Sequence, residues 1–180
     1  MDNCLGCDAR CCRKFLIAPI PSDIARMERR SGKKVAEFLR LFPSRECDCR
    51  WAVPFCIRGK EYYIGLKRGK NGCLFLRRGR CSIHRFKPIV CTTFPFCIDG
   101  KKVVVSNACV RKEAWVPELE DAAKLERYHS GLARMRRLAV EWNWKRGTRG
   151  SEAELYAFLL RKEKEGRRLA AKISSLKRCR

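Results

Sequence analysis

Cysteines are the residues of this chain whose type and spacing can do chemistry. Thirteen of the 180 residues are cysteine, and four of them lie within residues 4–12 with the spacing C-x-x-C-x-x-x-C-C. Clustered cysteines in a polar segment gain little as buried apolar side chains, whereas thiolates so spaced bind zinc or iron. The predicted metal ligands are Cys4, Cys7, Cys11, Cys12, Cys73, Cys81 and Cys91. Because these ligands come from distant parts of the chain, bound metal would tie those parts together.

The number and type of metal centres are left open by the spacing. Seven cysteines nearly fill two tetrahedral zinc sites, or they hold one four-iron cluster with three cysteines left over. A further ligand is available from His84, Cys97 or Cys109. Three alternatives, namely metal ligation, disulfide pairing and free thiols, are open for the remaining group of Cys47, Cys49 and Cys56. The predicted cofactor is therefore zinc or an iron–sulfur cluster, in one or two centres.

The order of the motifs resembles a known family over roughly residues 1–100. The residues that carry the resemblance are Cys4, Cys7, Cys11, Cys12, Cys73, Phe75, Leu76, Gly79, Cys81, Ile83, His84, Lys87, Pro88, Cys91, Phe94 and Pro95. They are similar to the cysteine-cluster family of zinc- or iron-chelating domains, which implies bound metal at the seven cysteines. The motif also looks distantly related to the cysteine-rich part of flagellin lysine-N-methylases. That similarity implies an alternative function, an iron–sulfur redox or lysine-methyltransferase-like enzyme component.

The charge of the chain indicates an anionic partner. Forty-two Lys and Arg residues face nineteen Asp and Glu residues, which gives a formal net charge of +23. The excess is present in residues 1–116 (25 against 10) and again in residues 117–180 (17 against 9), so it is not confined to a tail. Dispersed positive charge on long helices, without a recognisable RNA-recognition motif, favours structured RNA bound by its shape. We expect a ribosome-associated or ribosomal protein.

The predicted RNA contacts lie on two glycine-containing basic loops, residues 67–72 and 77–80, and on the polar faces of the C-terminal helices. They are Lys67, Arg68, Lys70, Arg77, Arg78, Arg80, Arg136, Arg137, Arg167 and Arg168. Tryptophans are a weaker signal for nucleic acid. We interpret Trp115, Trp142 and Trp144 as core or hairpin packing rather than as stacking platforms.

The pattern of apolar residues predicts an α+β fold in two parts. Residues 1–116 form a small cysteine-rich, metal-binding domain, and residues 117–180 form a basic helical hairpin. In the first part we predict a helix from Ser22, its cap, to Gly32 and a second helix over residues 34–42. Strands are predicted at residues 53–58, 62–67 and 103–106, with turns at residues 58–60 and 99–101. In the second part, Ser151 and Glu154 form a capping box that opens the last helix.

Several functional classes are disfavoured by what the sequence lacks. No Ser-His-Asp set, paired-carboxylate site or phosphate-binding glycine loop is present, and there are only two histidines. We therefore expect a binding module rather than an enzyme, with no small-molecule substrate identified. No apolar run is long enough to span a membrane and no signal peptide is visible, so we expect a cytoplasmic protein that does not bind membranes.

Overall fold

The computed structural model describes residues 9–47, 53–99, 102–109 and 111–178, and it confirms the α+β class. The helices within these ranges are α1 (Arg10–Lys14), α2 (Pro21–Ser31), α3 (Val35–Phe38), α4 (Ile89–Thr93), α5 (Leu119–Arg146) and α6 (Glu152–Arg178). The strands are β1 (Leu39–Pro43), β2 (Phe55–Ile57), β3 (Lys60–Leu66), β4 (Arg68–Gly69), β5 (Gly72–Cys73), β6 (Leu76–Arg77), β7 (Arg80–Cys81), β8 (Phe96–Asp99) and β9 (Lys102–Val105). Short strands occupy the first part of the chain and long helices the second.

All strand pairs among the described residues are antiparallel. A three-stranded sheet has the order β1-β3-β2, and three separate hairpins follow: β4-β5, β6-β7 and β8-β9. The strands predicted near residues 53–58, 62–67 and 103–106 are confirmed as β2, β3 and β9. The turn between β2 and β3 is confirmed as well, with Arg58 and Gly59 both at positive φ. The turn predicted at residues 99–101 falls largely outside the described residues.

Helix α2 ends where predicted, at Gly32, but it begins earlier than predicted, at Pro21. Pro21 occupies the first helical turn, and Gly32 ends the helix with φ 68°, a conformation that glycine adopts readily. The predicted cap, Ser22, is wrong. Instead, the carboxylate of the buried Asp23 accepts a hydrogen bond from the amide of Ile20 at 3.2 Å. An aspartate in the first turn can reach back to the free amides of a helix start.

The second predicted helix, over residues 34–42, is wrong in its second half. Helix α3 is a single turn, and residues 39–43 form strand β1, paired with β3 from Leu39↔Leu66 to Pro43↔Tyr62. Apolar residues at 35, 38, 39 and 42 fit a helical stripe. Pairing with a buried central strand nevertheless satisfies the backbone of residues 39–43, and such tertiary pairing outweighs local periodicity.

The long helices pack on the strand-containing region. The indole of Trp142 on α5 donates to the carbonyl of Cys56 at 2.8 Å. The neighbouring Asn143 accepts from the amide of Cys56 at 2.7 Å and donates to the carbonyl of Pro54 at 2.9 Å. Buried apolar residues of both regions form one continuous core. Helix α5 is therefore docked on β2, and the division of the chain at residue 116 stays a prediction.

The capping box between α5 and α6 is confirmed. The Ser151 hydroxyl accepts from the amide of Glu154 at 3.3 Å, and the Glu154 carboxylate accepts from the amide of Ser151 at 2.9 Å. Arg134 and the buried Glu163 join the two helices by an ion pair of 2.6 Å. Beyond that pair, residues 167–174 of α6 are all exposed. Among the helices described, none is both long and apolar enough to cross a membrane.

Candidate metal centre

Five of the seven predicted metal ligands line one cavity. The cavity has a volume of about 700 Å³, and its walls include Cys11 and Cys12 of α1, Cys73 of β5, Cys81 of β7 and Cys91 of α4. Aromatic and aliphatic side chains form much of the remaining wall. Four short elements from separate parts of the sequence thus place thiols around a common space. Cys4 and Cys7 lie outside the described residues.

The hairpins β4-β5 and β6-β7 deliver Cys73 and Cys81 in the same way. Each cysteine is the last residue of its hairpin. Leu74, which follows Cys73, donates its amide to the carbonyl of Lys67 at 2.9 Å. Ser82, which follows Cys81, donates its amide to the carbonyl of Phe75 at 2.9 Å. Both bonds span seven residues and lie one pair beyond the ladder of their hairpin, so the two cysteines occupy equivalent positions. This structural repeat was not predicted from the sequence.

Close packing of α1 on β5 brings the first cysteines to the cavity. Gly72 has φ 113°, and a Cβ at this position would lie 2.5 Å from the carbonyl oxygen of Cys12 and 2.8 Å from the Cα of Arg13. Only glycine allows this approach. The guanidinium of Arg68 strengthens the contact by donating to the carbonyls of Arg13 and Phe15. Gly72 and Arg68 therefore hold α1 against the first hairpin.

Asp23 positions the helix that carries Cys91. Its carboxylate, fully buried, accepts from the amide of Ile89 at 3.1 Å, at the start of α4. Arg26 binds the same carboxylate and also donates to the carbonyl of Lys87 at 2.9 Å. The cap of α2 thus also fixes the segment that leads into α4. The predictions from sequence missed this role, because the contact with Ile89 joins residues that are 66 positions apart.

Three thiols of the cavity, those of Cys11, Cys73 and Cys91, have raised pKa values. Burial raises the pKa of Cys73 and of Cys91, and the neighbouring cavity thiols, including Cys81 and Cys11, raise both further. A hydrogen bond with Cys12 raises the pKa of Cys11, and burial adds to this effect. A bound metal cation has the opposite effect and lowers the pKa of these thiols, because a coordinating thiol is deprotonated. Metal binding here therefore releases protons.

The cavity chemistry fits a metal that prefers sulfur ligands. Sulfur donors select zinc, copper(I) or iron–sulfur clusters over magnesium and calcium. Arg80 and Lys87 also line the cavity, and nearby cations favour thiolate. Within residues 9–47, 53–99, 102–109 and 111–178, however, no three potential ligands stand close enough to hold an ion. The described thiols are gathered around the space without forming a closed coordination sphere.

The three additional candidate ligands are placed differently. His84 lines the cavity, and its Nε2 lies 3.0 Å from the Nζ of Lys87. Cys97 is exposed on β8, and neither Cys97 nor Cys109 belongs to the cavity wall.

Cys56 lies under the end of α5, where a Cβ on Gly147 would come within 3.0 Å of its Cβ. Cys47 is half-buried, and Cys49 lies outside the described residues.

The comparison with protein families decides the classification. The family described as "putative zinc- or iron-chelating domain" (CxxCxxCC) matches residues 3–110, more than half of the chain. The chain belongs to this family. No curated protein and no solved structure matches the chain. Metal chelation by the cysteine cluster is thus the assigned property of the region that surrounds the cavity, and the similarity to flagellin methylases is not shown.

The predicted RNA-binding residues lie on or next to the hairpins β4-β5 and β6-β7 and on the helices α5 and α6. Lys67 and Arg77 line a shallow cleft together with Lys33, which was not among the predicted contacts. Arg68 is half-buried and contacts the carbonyls near α1, and Arg167 binds Glu163 at 2.8 Å. Contact with RNA stays a prediction. The predicted residues found at exposed positions are Lys70, Arg77, Arg78, Arg80, Arg136, Arg137, Arg167 and Arg168.

Trp142 and Trp144 differ sharply in how far their side chains are exposed. Trp142 is 2% exposed and packs against Phe158, with ring centroids 5.4 Å apart, as expected for a core residue. Trp115 contacts Phe96 edge-on at 5.7 Å. Trp144 is 89% exposed, so its interpretation as a packing residue is wrong. Trp144 follows Trp142 by two positions, and at about 100° per residue this turns the side chain away from the core.

Proposed function

We propose that this protein is a metal-stabilised module that binds structured RNA, with ribosomal RNA as the first candidate. One observation carries the proposal. The cavity that holds the cysteines and the cleft that holds Lys33, Lys67 and Arg77 share two wall residues, the buried Phe75 and Ile83. The thiol cavity and the basic cleft are therefore neighbours that share part of one wall.

The two hairpins connect metal binding to the basic surface. The β4-β5 hairpin carries Cys73 at its end and Lys70 in its turn, and the β6-β7 hairpin carries Cys81 at its end and Arg78 in its turn. Short two-residue strands have little stability of their own. Metal bound by the cysteines would fix both hairpins and thereby the spacing of their cations.

Charge supports an anionic polymer as the partner. The cleft contains one acidic residue, Glu37, whose carboxylate lies 3.7 Å from Lys33 and accepts from the amide of Lys34 at 2.7 Å. Each phosphate that such cations neutralise releases counterions, which makes the affinity fall with salt. RNA helices present closely spaced phosphates and are recognised mainly by shape.

The test measures metal and RNA on the same preparation. We expect protein purified without oxygen to contain zinc or iron in a fixed ratio, measured by elemental analysis, with a visible spectrum separating zinc from an iron–sulfur cluster. Fluorescence anisotropy with a ribosomal RNA helix should show an affinity that falls steeply between low and moderate salt. Removal of the metal by a chelator should weaken RNA binding.

Matched variants separate specific contacts from net charge. Arg77→Ala with Arg78→Ala should weaken binding and lower the salt slope by roughly one to two, about one per lost phosphate contact. Arg45→Ala with Arg111→Ala removes equal charge from exposed positions outside the predicted set and should have less effect. Affinity that does not change with salt, or equal loss in both double variants, contradicts the proposal.

A further inference from the structure

The outer face of α5 carries an apolar stripe, Val140 and Trp144, that nothing in the described protein covers. Trp144 is 89% exposed and Val140, one turn earlier, is 61% exposed. Tryptophan is seldom exposed to this degree, and neighbouring exposed apolar side chains indicate a contact surface. The core side of α5, with Trp142 and Leu138, faces away from the stripe. The stripe therefore has no packing role in the described fold.

Cations border this stripe at both ends. Arg136 and Arg137 are exposed about two turns before Trp144, and Arg149 is exposed just after the helix. Residues three, four and seven apart lie on the same side of a helix, which places Arg137, Val140 and Trp144 in one row. The stripe thus consists of the Trp144 indole and the Val140 side chain, with guanidinium groups before and after them along the chain.

A further loop adds positive charge at the same end of α5. The amide of Gly59, in the turn between β2 and β3, donates to the carbonyl of Gly147 at 3.1 Å. Arg58 and Lys60, on either side of Gly59, are both exposed. This bond holds the turn against the end of the helix. Cations therefore approach the neighbourhood of Trp144 from two separate elements.

The acidic residue of α5 beside the stripe is paired with lysines. Glu141 is the one acidic residue of α5 between Arg134 and Arg146. Its carboxylate lies 2.8 Å from Lys145 and 2.8 Å from Lys162 of α6, and hydrogen bonds from these lysines lower its pKa. Cations outnumber this single carboxylate along residues 134–146, which disfavours a basic or a purely apolar partner.

We propose that Trp144 is a stacking platform for an unpaired base of the RNA, with the phosphates on either side of that base held by Arg137 and by the turn at Arg58. This inference rests on the proposed function and names the feature of the RNA that this face recognises. Exposed aromatic rings among cations bind unpaired bases by stacking while the cations follow the backbone. A fully paired helix offers no free base to this ring, so the α5 stripe distinguishes a loop or bulge from a duplex.

The test compares two RNA probes on the metal-loaded full chain: a stem with an unpaired loop, and a blunt duplex with the sequence of that stem. We expect Trp144→Ala to weaken binding of the stem-loop by about tenfold to a hundredfold and to leave duplex binding nearly unchanged. Trp144→Phe keeps an aromatic ring and should retain most of the affinity, whereas Trp144→Leu keeps apolar volume only and should behave like alanine. Leu119→Ala is the matched control, because Leu119 is 93% exposed near the other end of α5.

The possible results separate the stacking platform from RNA binding in general. Equal stem-loop affinity for wild type and Trp144→Ala overturns the stacking platform while leaving RNA binding by the protein intact. Wild-type protein that binds neither probe overturns the proposed function itself. If Trp144→Ala leaves RNA binding unchanged but abolishes self-association in sedimentation, the stripe is a protein interface and the inference is overturned. Circular dichroism of each variant confirms that the exposed substitution leaves the fold in place.

Discussion

Two regions differ in what fills the space between their backbones. One is the helical region of α5 and α6, and the other is the region of α1, α4 and the hairpins β4-β5 and β6-β7. Where α5 and α6 join the core, the side chains of Trp142, Leu155 and Leu159 are almost completely buried. Between α1, α4 and the two cysteine hairpins lies a cavity of about 700 Å³ whose walls carry thiols. Close packing stabilises the first region. The second surrounds open space, so we expect its stability to depend on what the thiols bind.

Removal of the metal should show this difference most strongly. Structural zinc contributes on the order of 10 kcal/mol to folding of small domains, as much as the whole stability of many proteins. We expect chelation to abolish slow hydrogen exchange in β4–β7, α1 and α4, whereas amides near Trp142 on α5 keep part of their protection. Protection that is lost equally in both regions, or retained in both, contradicts the comparison.

The opposite perturbation is Trp142→Ala, which damages the helical region. Loss of a buried tryptophan costs about 3–5 kcal/mol, and the hydrogen bond to Cys56 is lost as well. Chemical denaturation of the metal-loaded protein measures this change. The matched control is Trp144→Ala, for which we expect a change within about 0.5 kcal/mol, since the side chain is exposed. Similar losses in the two variants would refute the assignment of these neighbouring tryptophans to opposite faces.

A pair of buried aspartates allows a finer comparison. Asp23 and Asp121 both accept a backbone hydrogen bond from the residue three positions earlier, at 3.2 Å and 3.1 Å. Of the two, Asp23 also binds the start of α4. Asp23→Asn and Asp121→Asn should each lower stability by about 1–3 kcal/mol, because buried donors lose a charged acceptor.

The two substitutions should differ in their effect on metal affinity. Asp23→Asn should also weaken metal binding, measured by competition with a chromophoric chelator, because Cys91 of α4 loses its support. Asp121→Asn should leave metal affinity at the wild-type value. If neither substitution changes metal affinity, then α4 does not need Asp23 to present Cys91.

The smallest effect is expected for Ser151→Ala, which removes the cap of α6. Loss of a serine cap lowers stability by about 1 kcal/mol. The change should appear as a lower midpoint of thermal unfolding, with metal content unchanged. Ser130→Ala, at an exposed position inside α5, provides the control and should have no such effect. A larger loss for Ser130 than for Ser151 would show that the capping box does not stabilise α6.

Local signals were sufficient for most of the secondary structure. Gly32, the turn at Arg58 and Gly59, and the Ser151–Glu154 box were predicted because the signal for each lies in neighbouring residues of the sequence. The prediction over residues 39–43 was wrong because the partner of that segment, β3, pairs with it through contacts that local periodicity does not encode. The role of Asp23 was missed for a similar reason, since Ile89 is brought to it by the fold alone.

The sequence by itself determined the type of chemistry, because thiols at close spacing and a large excess of Lys and Arg are properties of composition. It also determined the family, through the order of its cysteine motifs. Only the tertiary structure decided which cysteines share a cavity, that Lys33 joins Lys67 and Arg77, and that Trp144 faces outward while Trp142 is buried. These facts depend on contacts between residues far apart in the chain, and helical periodicity alone does not say which side of α5 meets the core.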